Sequence, residues 1–290
     1  MKYIISTLLF CLVFFDCYSQ ELVPFRVDTL WGYKDKQGAV KIDPQFQYAS
    51  KFMGNIAIVA KNDKLGAIDK NNTLLVPFRY EFLRPLDTAE YLFGYRAKYF
   101  GEHIMGVMTK DEKLKVPAEY SYISKYRNTY TVTKNNDSII GKSGIGDVRS
   151  VRSTYGLFDS NGKVLIPCKY DYINWINDTL LDVTTGGLGI NHALFTISGK
   201  QLTGFEYMVF GKFIEGVAKA RIENKFGFIF PTGKIAIPIQ FDYCEDFSNG
   251  YAIIKQQDKW GAIDKNGKII IEPKLTYDQV KTTLKEKYGR

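Results

Sequence analysis

Short apolar runs, each broken by a polar turn, recur at nearly even intervals along this chain. The last copy shows the layout: YAIIK from Tyr251, the turn QQDK, WGAID, the turn KNG, and KIIIEP ending at Pro273. Runs this short, bounded by Gly, Asn, Asp and Pro, predict strands rather than helices. Asn266-Gly267 tolerates positive φ and predicts a hairpin. Proline has no N–H to donate, so Pro273 is expected to end its strand. Each copy thus reads as three antiparallel strands.

The same pattern starts at Trp31, Leu65, Met105, Tyr155 and Phe226, and in a weaker form at His192, before the last copy at Trp260. From Gly32 the steps through Gly66, Gly106, Gly156, Ala193 and Gly227 to Gly261 are 34, 40, 50, 37, 34 and 34 residues. Seven units of about 34 residues result, near 22–54, 55–90, 91–127, 128–178, 179–214, 215–249 and 250–276. The long steps mark insertions around 100–104 and 139–153, the latter expected to be an exposed loop. Fourteen residues after six of the anchors stand Phe46, Tyr80, Tyr120, Tyr170, Phe241 and Leu275. Two places later come Tyr48, Phe82, Tyr122, Tyr172, Tyr243 and Tyr277. Residues two apart in one strand share a face, which is the expected arrangement of each pair.

These letters resemble the WG-repeat family, whose units run from a Trp-Gly anchor through an acidic turn and an apolar run to proline. The resemblance spans roughly Leu22 to Tyr277. It departs at Leu65, Met105, Tyr155 and Phe226 in place of tryptophan, and the fifth unit lacks the anchor glycine and the proline. The resemblance implies an all-β array of about seven three-stranded antiparallel repeats. A three-stranded sheet cannot bury its apolar face alone, so neighbouring units are expected to stack as one body. A propeller-like ring and a curved β-solenoid both remain open. LVPFRV from Leu22 can supply a first strand, and 277–290 reads as a helical tail suited to capping.

Composition fits a β array: of 290 residues, 20 are Tyr and 20 Phe, which pack well on pleated surfaces. Residues 1–19 carry one basic residue, Lys2, then an apolar run from Tyr3 to Phe15 that is too short to span a bilayer. Small residues Cys17 and Ser19 precede Gln20. A cleaved signal peptide is expected, hence export to the periplasm, the outer surface or the medium, with no transmembrane segment after cleavage. Cleavage removes one basic and one acidic residue, so the net charge stays +8 (38 minus 30). The lysines are scattered among turns, and nucleic acid is not an expected partner. Cys168 and Cys244 remain and are expected as separate thiols.

Candidate chemistry is sparse. His103 and His192 have no clustered partner for catalysis or metal ligation. The turns at Asp35, Asp69, Asp159 and Asp264 each offer one carboxylate, which suits hairpin turns better than calcium. The Tyr-Asp pairs recur by repeat position and read as structural. GGLG from Gly186 and GKSGIG from Gly141 lead into no helix and read as loops. No catalytic, cofactor or metal residue is nominated. The expected function is an exported, non-enzymatic binding or protein-interaction module whose partner is a protein or glycan of the cell envelope. The alternative is a carbohydrate-active enzyme or glycan-binding protein. Function is sought where the repeats differ, at Tyr99, Phe100, His103, Lys142, Arg149 and Arg152.

Overall fold

The computed structural model describes residues 21–97, 103–143, 146–187 and 190–288. The expected signal peptide, Tyr99 and Phe100 lie outside them. The chain divides into two compact units that meet at Arg84 and Pro85.

The first unit holds one sheet of β1 (Val23–Val27), β2 (Leu30–Lys34) and β3 (Val40–Phe46). Its second sheet is β4 (Tyr48–Ala49), β5 (Ala57–Lys61), β6 (Lys64–Ile68) and β7 (Leu74–Tyr80). The boundary falls inside β8 (Phe82–Pro85), which opens a sheet with β9 (Glu90–Arg96), β10 (His103–Thr109) and β11 (Leu114–Tyr120). Next comes β12 (Tyr122–Tyr126), β13 (Thr129–Ser143), β14 (Gly146–Asp159) and β15 (Val164–Tyr170). The fifth sheet has only β16 (Tyr172–Trp175), β17 (Leu180–Thr185) and β18 (Asn191–Thr196). The sixth is β19 (Val209–Ile214), β20 (Val217–Ile222), β21 (Lys225–Ile229) and β22 (Ile235–Phe241). The seventh is β23 (Tyr243–Cys244), β24 (Tyr251–Gln256), β25 (Lys259–Asp264) and β26 (Ile269–Leu275), followed by α1 (Tyr277–Tyr288). Seven antiparallel sheets agree with the seven expected repeats, and β1 is the first strand that LVPFRV was expected to supply. The repeat is richer than three strands, because five sheets add a short fourth strand at the front.

That fourth strand corrects the reading of the aromatic pairs. Phe46 ends β3 and Tyr48 starts β4, in a different sheet, and the same break separates Tyr120 from Tyr122 and Phe241 from Tyr243. The pairs therefore do not share a strand face: Phe46 is buried while Tyr48 is 50% exposed, and Tyr120 is buried while Tyr122 is 59% exposed. The residue between already belongs to the next sheet. The N–H of Gln47 donates to Ala60, that of Ser121 to Thr133 and that of Asp242 to Lys255.

Proline does not end its strand either. Pro44, Pro77, Pro117, Pro167, Pro238 and Pro273 all lie inside β3, β7, β11, β15, β22 and β26, each an outermost strand. Between the pairs Trp260–Leu275 and Ala262–Ile271, two steps on β25 face four on β26, so β26 bulges around Pro273. The missing N–H falls where no ladder bond is made. The identical shift recurs in the other five sheets with a bulged edge. The bulge packs against the anchor glycine: a Cβ on Gly261 would sit 2.8 Å from the Pro273 nitrogen, and one on Gly106 would sit 2.8 Å from the Ala118 nitrogen. In the fifth sheet the anchor is Ala193, and there the bulged strand is missing. Only isolated bridges, His192–Tyr207 and Phe195–Gln201, stand in its place.

Within each unit the cores lie between consecutive sheets. In the second unit, Ile237 and Phe241 of β22 pack with Cys244 and Ile254 of the following sheet. Ile253, one residue away on β24, points to the opposite face, onto Val280 and Leu284 of α1. Strands buried on both sides explain why the runs are continuously apolar rather than alternating. The helix covers the last sheet as the cap expected of the tail. Thr276 caps its start, accepting the Gln279 N–H while its own N–H donates to the Gln279 side chain. No helix among the described residues is long and apolar enough to cross a membrane.

The acidic turns are hairpin devices. Oδ1 of Asp159 accepts the N–H groups of Asn161 (2.8 Å) and Lys163 (2.9 Å), and Asp264 does the same for Asn266 and Lys268. Asp159→Ala is expected to lower stability by about 1 kcal/mol through the lost turn bonds, read as a lower urea midpoint at unchanged slope.

Candidate functional site

The insertion expected as a loop is instead a hairpin. β13 and β14 continue as paired strands from Thr129–Asp159 out to Ser143–Gly146, with one irregularity between Ile139 and Gly141. Alternating Thr, Val, Ser and Arg suit an extended strand, which explains why the segment pairs rather than loops. Lys142 and Arg149 fall on this hairpin, although their side chains lie outside the described residues.

Where β14 returns to the body of its sheet, Ser150, Arg152, Ser153 and Tyr155 form one wall of a cleft of about 460 Å³. Asp171, Tyr172 and Gly187 of the following sheet form the other. The Asp171 carboxylate is buried and held from two sides: Oδ1 accepts from Nη2 of Arg152 at 2.6 Å, and Oδ2 from the Gly187 N–H at 2.9 Å. Gly186 and Gly187 have φ of 101° and 86°, so this turn needs glycine. The Arg152 side chain is itself 57% exposed, and a guanidinium carries five N–H donors. Tyr172 packs on Tyr155 with centroids 5.5 Å apart and planes inclined by 33°.

This geometry is a repeat device put to a different use. At the sixth junction Asp242 likewise accepts a turn N–H, from Gln257 at 2.7 Å, and takes Lys225 on its other oxygen. Its cation is the residue before the anchor, whereas Arg152 stands three before Tyr155 on the start of the long hairpin. The pairing therefore opens a cleft at the fourth junction.

Two other polar clusters are well satisfied. Buried Glu90 accepts from Lys115 (2.7 Å), Lys125 (2.8 Å) and the Tyr130 hydroxyl (2.6 Å), and Lys125 also reaches Asp87 at 2.6 Å. Burial alone would raise the Glu90 pKa, but these three donors outweigh it and the carboxyl lies below its usual range. In the fifth sheet His192 Nδ1 lies 2.9 Å from both oxygens of Asp182, whose pKa burial raises. No group of three His, Cys, Asp or Glu side chains among the described residues is placed to hold a metal. Cys168 and Cys244 are separate thiols; burial pushes Cys244 up to about 12.

Of the residues singled out from the sequence, Arg152 lines the cleft and His103 does not. His103 begins β10 opposite Arg96. Asp171 and Tyr172 are read from the sequence as structural because they recur by position. The usable signal is a Tyr-Asp-Tyr run, 170–172, in the unit near 128–178 that carries the longest insertion.

Tandem antiparallel sheets, six of them with a glycine-seated bulge in the last strand, define a protein built from β repeats. The family model described as "WG containing repeat" matches residues 31–64, 66–87, 155–181, 226–260 and 260–280. The chain belongs to the WG-repeat family. The third repeat and nearly all of the fifth fall outside the matched stretches, yet each forms an antiparallel sheet of sequence-consecutive strands. No curated protein sequence matches the chain significantly. Similar solved structures include a eukaryotic initiation factor (10% identity, 87% of this chain and 95% of that one, TM-score 0.25). Another is Hsv2p of Kluyveromyces lactis (8% identity, 73% of this chain and 71% of that one, TM-score 0.27). At these scores neither bears on function.

Proposed function

We propose that this chain is an exported, non-enzymatic binding module that presents a ligand site at the base of the β13–β14 hairpin. The observation that carries this reading is the cleft itself, assembled where the repeat pattern is interrupted. Positions shared by the repeats serve bulges, turns and cores, so a site of its own belongs where an insertion meets them. The leader read from residues 1–19 supports export, and a protein or glycan of the cell envelope is the ligand class that export brings within reach.

The test is a panel of neutral oligosaccharides, acidic oligosaccharides and short peptides, applied to the purified protein and to Arg152→Ala. A probe should bind, be recovered unaltered, and bind Arg152→Ala at least about tenfold more weakly, equivalent to about 1.4 kcal/mol. Chemical conversion of the probe, or a panel on which the two proteins are indistinguishable, would overturn the proposal.

A further inference from the structure

We infer that the cleft takes a neutral saccharide, with one face of a sugar ring on Tyr172 and its hydroxyls on Arg152 and the serine hydroxyls of Ser150 and Ser153. This deepens the binding-module reading and rests on it.

Ring availability comes first. In the comparable anchor pairs Phe226–Tyr243 and Trp260–Tyr277, a cation lies over the second ring, Lys219 at 5.7 Å and Lys281 at 5.4 Å. At Tyr155–Tyr172 the nearby cation, Arg152, is turned onto Asp171 instead. Tyr172 is 49% exposed beside Tyr155, so part of the residue stays open to solvent. The face of an aromatic ring carries partial negative charge and attracts the polarised C–H bonds on the apolar side of a pyranose.

Charge decides between neutral and ionic ligands. Among the described residues the lining holds one cation and one anion, Arg152 and Asp171, paired at 2.6 Å. An anionic ligand would have to compete with a buried carboxylate, and a cationic one would meet the guanidinium. Hydroxyl groups need neither exchange. They accept from guanidinium donors of the half-exposed Arg152 side chain and exchange bonds with Ser150 and Ser153, whose Oγ donates to Asn135 at 2.9 Å and keeps acceptor capacity. Asp171 fixes the guanidinium before any ligand arrives, which limits the ordering cost of binding. The volume falls within the range of about 300–1,000 Å³ usual for small-molecule sites.

The experiment titrates the full chain with neutral glucose and N-acetylglucosamine hexamers, an oligogalacturonate and charged hexapeptides, by calorimetry. A neutral hexamer should bind with little dependence on salt, Tyr172→Ala should weaken it at least tenfold, and Tyr172→Phe should retain it. Tyr172→Phe keeps the packing on Tyr155, so loss in both variants together with a lowered urea midpoint would mark misfolding. Loss in both with an unchanged midpoint overturns ring stacking. Binding of the oligogalacturonate or a peptide, sensitive to Arg152→Ala, with no neutral hexamer bound, overturns the saccharide and leaves the binding module standing. No probe sensitive to either residue overturns both.

Discussion

Gly261→Ala is expected to destabilise the protein by about 3 kcal/mol, a large effect for one methyl group. The Cβ would lie 2.8 Å from the backbone nitrogen of Pro273 and closer still to the Ile271 carbonyl oxygen, and these atoms belong to a bulged strand rather than a flexible side chain. Relief requires β26 to move away from β25, which loosens the packing of Ile271 and Ala262 against Val280 and Leu284 of α1. Gly250→Ala supplies the comparison. Gly250 has φ of 84° but open space around its Cβ position, so only conformational strain, about 1 kcal/mol, is expected there. Urea unfolding monitored by circular dichroism reads both midpoints. A Gly261→Ala midpoint no lower than that of Gly250→Ala would refute the seating of the bulge on the glycine. The fifth sheet shows the converse: with Ala193 at the anchor, no bulged strand forms.

The same pairing of glycine and bulge shows what the letters of the repeat disclose. Spacing alone located seven sheets, because the side-chain period of a strand and the turn chemistry of Asp159 or Asp264 are local properties. The role of Pro273 was misread for the same reason: a missing N–H matters only relative to a partner strand, and the register of β25 on β26 is not local. The pairs Phe46–Tyr48 and Phe241–Tyr243 were misread likewise, since a period of two cannot reveal that the chain changes sheets between them. For the cleft, Arg152 was legible as a departure from the repeat. Asp171 and Tyr172 were hidden because their repeat role and their place in the cleft use the same side chains. Glu90 carried a signal that periodicity did not register, a carboxylate at the start of a strand where the other units place Thr129, Leu180 or Tyr251.

Glu90→Ala should cost about 3 kcal/mol, near the lower end for breaking a buried ion pair because both lysines retain some contact with water. Removing the carboxylate leaves Lys115 without its partner and strands the hydroxyl of Tyr130, a fully buried side chain, while Lys125 keeps Asp87. Lys115 lies on β11, Lys125 on β12 and Tyr130 on β13, so the loss loosens the junction between the third and fourth sheets. Glu90→Gln keeps an acceptor for Tyr130 and should cost less. The acid side separates charge from shape. The folded pKa of Glu90 is depressed, as is that of Asp87. Their contribution is therefore complete above the unfolded carboxylate value near 4.5 and disappears as pH falls through the lower folded values. The stability difference between wild type and Glu90→Gln should accordingly be largest at neutral pH and shrink below about pH 4.5. Urea midpoints measured from pH 7 down to pH 3 check this, and a difference that stays constant with pH would assign Glu90 to packing alone.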